Sequence, residues 1–407
     1  MKLFEKFTPK QSASDKTNAE KIHLSGEDFA AQNPYYAMVA RGYQLAQMTF
    51  FGLLCAFIIL SMLIRADDIT YENFFYLFKD IHAAVDSEDI SFQTLVYNAD
   101  ETQDFATYRG GLAVVGESGL TVFSATGRQT LIQSLNMSYP KLLTSDRFIL
   151  VYELNGSKFA LYNSFVRMES GQTDAPIRCA AMSDDGWFAL ASQDGANAKV
   201  SVYNKHSNLV TEHYLNGYIT ALSLNPAGDI LAIASTDAVS GRYQTKLTLF
   251  RTGSDDKLHD CIFDDFFPLS CEFVDNKTIY LTSTDRMLVL GHDGEIIVDL
   301  TCDMPISRVF YSQHGYAILT ENALLTIYRK DGSVIGQRAD MKDVRSVLVG
   351  NENVYMMTEF ALIHYTIEDA QGSVSEYHYP LQKLLWYSED ELLLCSRSTA
   401  RFIRPKD

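Results

Sequence analysis

Leu45 to Ile64, LAQMTFFGLLCAFIILSMLI, is one unbroken apolar run, and it divides a polar amino-terminal segment from a chain that alternates apolar and polar residues to its end. About 20 residues at roughly 1.5 Å each make about 30 Å of helix, the thickness of a bilayer's hydrocarbon core. The run predicts a transmembrane helix over 45–64, bracketed by Arg41 and Arg65. A cleaved signal peptide would have an apolar stretch of only about 7–15 residues and a small-residue cleavage site. Here 44 residues come first, and SMLIRADD has no A-x-A pattern. Beyond the run, Phe74, Leu77, Phe78, Ile81 and Val85 fall at i, i+3, i+4, i+7 and i+11, which predicts an amphipathic juxtamembrane helix within 65–89. Residues 8–33, rich in Ser, Lys, Asn, Gln and acids, read as a polar tail within a 1–44 segment.

From Ile90 the period changes to two. Short alternating or apolar runs are broken by Gly, Asp, Asn, Ser and Pro, which is the punctuation of an all-β chain. Units of about 35–49 residues, each readable as four strands a to d, recur through residues 90–407, a period typical of β-propeller blades. Eight a–b turns are expected, at Tyr108, Thr144, Ser183, Asn225, Val274, Ser312, Gly350 and Tyr387. The last unit, LQKLLWYSEDELLLCSRSTARFIRP, ends after its third strand, and SFQTLVYN before the first unit is a strand without a partner. Pairing that segment as strand d of the last blade closes the ring and removes the open edges. The fold class is therefore an all-β, eight-bladed β-propeller behind one transmembrane helix, with seven blades as the alternative.

Charge narrows the partners. Of 34 Lys and Arg against 51 Asp and Glu, residues 1–65 hold 7 against 5, which leaves 27 against 46, or −19, on the rest. Such a field repels nucleic acid and anionic headgroups. Lys2, Lys6, Lys10, Lys16, Lys21 and Arg41 favour a cytoplasmic amino terminus and an extracytoplasmic propeller at the plasma membrane. Close to the span the balance is divided, Arg41 against Arg65 and Lys79, so a cytoplasm-facing ring is the alternative. Cys55 lies in the run, and Cys179, Cys261, Cys271, Cys302 and Cys395 have no CxxC or regular spacing, so they read as small core side chains rather than a disulfide framework.

Two of the expected turns carry a family likeness. SDDGWFALAS and NPAGDILAIAS resemble the S-P-D-G-x-x-L-A signature of TolB-like and WD40-like propellers, and the whole plan resembles an uncharacterised family of single-span, membrane-anchored propellers of Gram-positive bacteria. That resemblance implies the fold and the anchor, and it brings no activity, cofactor or ligand.

No residue constellation points to catalysis. His292-Asp293-Gly294 and Asp184-Asp185-Gly186 sit where turns are expected and lack the alternating oxygen ligands of a Ca²⁺ loop. The nine His residues include no H-x-x-x-H or H-E-x-x-H pair, no G-x-S-x-G elbow occurs, and two Trp residues are too few for the tryptophan-docked blades of quinone-dependent dehydrogenases. The reading is a non-enzymatic scaffold without metal or cofactor, with a surface hydrolase or lyase as the alternative. The d–a and b–c connections of a propeller share one face. DAVSGRYQ, Asp237 to Gln244, and DDFFPL, Asp264 to Leu269, read as the longest of them, in adjacent blades 4 and 5. They nominate Arg242, Tyr243, Asp264, Asp265, Phe266 and Phe267 as the surface that binds a protein or cell-envelope polymer, because interface energy concentrates in aromatic and Arg anchors.

Overall fold

The computed structural model describes residues 34–64 and 94–404, apart from 313, 368–371 and 388–390. The chain forms two units, Met1–Leu77 and Phe78–Asp407. Among the described residues of the first, one helix, α1, spans Pro34–Ile64. It begins at Pro34 rather than near Leu45, for a local reason: proline's fixed φ suits the first helical position, where its missing N–H has no partner to lose. Every described side chain from Gly42 to Leu60 except Cys55 is exposed. Among the described residues no helix is long and apolar enough to cross a membrane; residues 34–41, 58 and 61–64 of α1 are described in backbone only. The helix expected within 65–89 and the tail over 1–33 lie outside the described residues.

The second unit is a ring of eight four-stranded antiparallel sheets. Seven blades are consecutive in sequence: β2–β5 (Gln103–Gln133), β6–β9 (Pro140–Gln172), β10–β13 (Ile177–Asn216), β14–β17 (Tyr218–Asp264), β18–β21 (Ser270–Thr301), β22–β25 (Ile306–Arg338) and β26–β29 (Ser346–Glu376). The eighth takes β30–β32 (Leu381–Ile403) from the carboxyl end and β1 (Thr94–Val96) from the amino end. Leu95 pairs with Ala400 and Val96 with Thr399, and Tyr97 donates its hydroxyl to the Ser396 carbonyl at 2.8 Å. The seven-blade alternative is thereby removed, and the two ends of the propeller segment are sewn into one sheet.

Burial explains the sequence texture. Each second strand is covered on both faces by neighbouring blades, as in β3, Gly111–Gly116, where every residue is buried; the outermost strand β29, Ser373–Glu376, is exposed throughout. The core is not one mass but eight clusters, one in each gap between adjacent blades. Phe159 and Leu161 of blade 2 meet Phe188 and Leu190 of blade 3, for example, and Leu95 of β1 joins Phe105 and Phe402 where the ring closes.

All eight expected a–b turns lie between the first and second strands of a blade. The two motif-bearing ones show why their residues recur. Ser183 Oγ accepts the Trp187 N–H at 3.1 Å, and Asn225 Oδ1 accepts the N–H groups of Asp229 and Ile230. Gly186 and Gly228 then take φ of +91° and +73°, which favour glycine. These turns also clasp one another: Asp146 N donates to Asp184 O, and Asp184 N to Pro226 O, each at 3.1 Å. The family-like motif is thus a blade-to-blade clasp.

Candidate functional site

The nominated rim is built on a hairpin rather than on a loop. Asp237–Gln244 does not form a connection: β15, Ile230–Val239, and β16, Arg242–Arg251, continue pairing through Asp237–Gln244, Ala238–Tyr243 and Val239–Arg242. Ser240 and Gly241, at φ +52° and +78°, close it as a two-residue turn. Positive φ at both central positions matches the right-handed twist of the flanking strands and lets the ladder run to the tip. The Ser-Gly pair between alternating residues was the overlooked signal. Nor is the next connection unusually long: residues 265–269 are fewer than residues 339–345 between β25 and β26.

The hairpin outruns its sheet. β14 pairs with β15 only as far as Tyr218–Thr236, so the last three ladder pairs lack a neighbour on the inner side. On the outer side β17, Lys257–Asp264, pairs Asp264 with Gln244, and the Asp265 N–H continues to the Tyr243 carbonyl at 2.8 Å. Gln244 Nε2 donates to Asp264 Oδ1 at 2.8 Å, and Arg242 Nη1 meets Asp265 Oδ2 at 3.1 Å.

Asp265 then adopts φ +53°, and the two following rings part company. Phe266 is 1% exposed and packs against Phe263, Leu247 and Leu281 in the cluster between blades 4 and 5. It is a core residue, and its nomination as a binding residue is overturned: the gap between the blades buries it, and Thr245 Oγ1 also donates to its carbonyl. Phe267 remains 41% exposed and lies edge-on to Tyr243, itself 59% exposed, with ring centroids 5.6 Å apart. Arg242, Tyr243, Asp264, Asp265 and Phe267 are therefore brought together at the rim, and Phe266 is not.

Two further exposed apolar residues on the same face were not singled out by sequence. Leu269, 48% exposed, donates its N–H to Thr282, and Met304, 42% exposed, follows Cys302, whose N–H bonds Asp285. Exposed carboxylates stand in or beside the b–c turns and d–a connections of that face, at Asp237, Asp264, Asp265, Asp285 and Asp303. Five acids against the one guanidinium of Arg242, already paired, leave these turns and connections acidic. The neighbouring cations are also engaged, Lys246 with Asp260 and Arg286 with Asp299.

Elsewhere the candidates are structural. Gly294 of the His292-Asp293-Gly294 turn has φ +80°, and the six cysteines are unpaired, with burial pushing the Cys179 thiol up to about 12. Among the described residues no group of three or more His, Cys, Asp or Glu side chains could hold a metal ion.

A family of unknown function, DUF5711, matches residues 87–404. The chain belongs to this family. The match spans the ring and leaves α1 outside it. No curated protein matches the chain. Among solved structures it is similar to the computationally designed Ika8 protein, at 11% identity over 76% of this chain and 98% of that one, with a TM-score of 0.61. It is also similar to BamB from Moraxella catarrhalis, at 10% identity over 77% and 99% with a TM-score of 0.57, and to Sqt1 of Saccharomyces cerevisiae, at 9% over 78% and 99% with 0.60. At such identities the likeness shows the propeller fold alone.

Proposed function

We propose that this DUF5711 protein is a membrane-anchored scaffold, held by one span over 45–64, that captures a protein or envelope polymer on the blade 4–5 rim of its propeller. The observation that carries the anchor is the character of α1: Leu45, Phe50, Phe51, Leu53, Phe57 and Leu60 lie 57–71% exposed on one helix. Exposed apolar side chains in this number need an apolar surrounding, and the roughly 20 residues of the run over 45–64 match the thickness of a bilayer's hydrocarbon core. The rim supports the scaffold role, since its exposed aromatic pair crowns the hairpin. β1 enters the ring from the face of the a–b turns, because Val96 pairs with Thr399 beside the b–c turn, and the hairpin tip lies on the other face of the ring. Basic residues of the tail favour a cytoplasmic amino terminus and an extracytoplasmic ring.

Membrane fractionation tests the anchor: the full chain should stay with membranes through alkaline carbonate and leave only with detergent. A cysteine placed at Ser12 should resist an impermeant thiol reagent on intact cells, and one at Lys406 should react. Release by carbonate would refute the span, and labelling at Ser12 alone would invert the topology.

A further inference from the structure

We infer that the blade 4–5 rim is built for a basic protein segment bearing aromatic or aliphatic anchors, an inference that rests on the scaffold reading above. Tyr243, Phe267, Leu269 and Met304 expose 41–59% of their surfaces on the face of the b–c and d–a connections: Tyr243 and Phe267 are in ring contact, Leu269 lies two residues on in the same connection, and Met304 lies in the next d–a connection. In or beside the turns and connections of the same face stand Asp237, Asp264, Asp265, Asp285 and Asp303, all exposed, with Arg242 committed to Asp265. Carboxylates around an apolar centre attract cationic side chains to the fringe and leave the centre to apolar anchors. A second copy of the ring would set these carboxylates against their own kind, and an anionic polymer would meet the same repulsion. Hydrophobic contact alone would not need the fringe.

The hairpin makes the surface rigid. Its ladder pairs run to Val239–Arg242, and the Asp265 N–H to the Tyr243 carbonyl holds the d–a connection against it. A partner segment therefore meets aromatic rings already in place and loses little affinity to ordering them.

The test uses the detergent-solubilised full chain and two fluorescent synthetic peptides, one alternating lysine with phenylalanine and the other alternating glutamate with phenylalanine. The lysine peptide should bind at least tenfold more tightly at low salt, with the difference shrinking as salt screens the exposed charges. Tyr243→Ala with Phe267→Ala should weaken it roughly thirtyfold, as expected for two anchor positions. Asp237→Asn, Asp264→Asn and Asp303→Asn together should weaken it severalfold and flatten its salt dependence. These three carboxylates are exposed, so the triple variant keeps the test valid if the aromatic variant proves unstable. Equal affinity for the two peptides, or indifference to the aspartate changes, overturns the inference. Capture of a native membrane partner that depends on Tyr243 and Phe267 but not on salt would sink the basic-partner inference while sparing the scaffold; no capture at all would sink the scaffold reading.

Discussion

Two adjacent phenylalanines should respond very differently to truncation. Phe266 is 1% exposed, wedged between blades 4 and 5 with its ring centroid 5.6 Å from that of Phe263. Phe266→Ala removes a buried ring and leaves a cavity walled by two sheets that are each locked into the closed circle. Such losses cost about 3–5 kcal/mol. Phe267 is 41% exposed, and its defined contact is the edge of Tyr243; Phe267→Ala should cost only about 1 kcal/mol, the worth of such an aromatic pair. At about 2.1 cal/mol/K per residue over roughly 310 residues, 1 kcal/mol corresponds to about 1.5 °C. Phe266→Ala should therefore lower the melting temperature by about 5–8 °C and Phe267→Ala by about 1–2 °C. Intrinsic tryptophan fluorescence of the full chain in detergent reports this cleanly, because Trp187 and Trp386 are its two tryptophans and both lie in the propeller. Shifts of equal size, or a larger loss for Phe267→Ala, would refute the placement of the two rings.

Other elements make independent predictions. Leu95 of β1 is 2% exposed at the ring closure, so Leu95→Ala should cost about 2–5 kcal/mol, and deleting 91–98 should cost more by opening the edge; a deletion that melts within a degree of the parent would show that closure does not depend on β1. Burial holds the His213 imidazole below its ordinary value of 6.5, against the smaller opposing pull of Asp255. The unfolded chain then binds a proton that the folded one resists, so stability present above pH about 6.5 falls as pH drops. His213→Phe should flatten this decline in a pH series of melting curves, and an unchanged slope would acquit His213. Gly241, at φ +78°, should tolerate no β-branched residue: Gly241→Val should cost more than about 1 kcal/mol and weaken the rim's partner, and neutrality would show that the tip is not held in the two-residue turn.

Local and periodic features were legible in the chain. The apolar run, the change of period after Ile90 and the eight a–b turns depend on residues close in sequence, and turn chemistry at Ser183, Gly186, Asn225 and Gly228 acts within four or five residues. Even the closure by SFQTLVYN could be read, because a last unit lacking a strand and a first strand lacking a unit are complementary requirements of hydrogen bonding. The rim was only half legible. Its address in blades 4 and 5 followed from the order of units, but the polar, small-residue run Asp237–Gln244 concealed a ladder, because Ser240-Gly241 turns the chain without breaking its pairing. Which of Phe266 and Phe267 is buried lay beyond any local rule, since both belong to a connection where alternation has stopped. The tertiary structure decided it physically: Asp265 turns into the left-handed region, Phe266 is delivered into the gap between two blades against Phe263, and Phe267 is left outside against Tyr243.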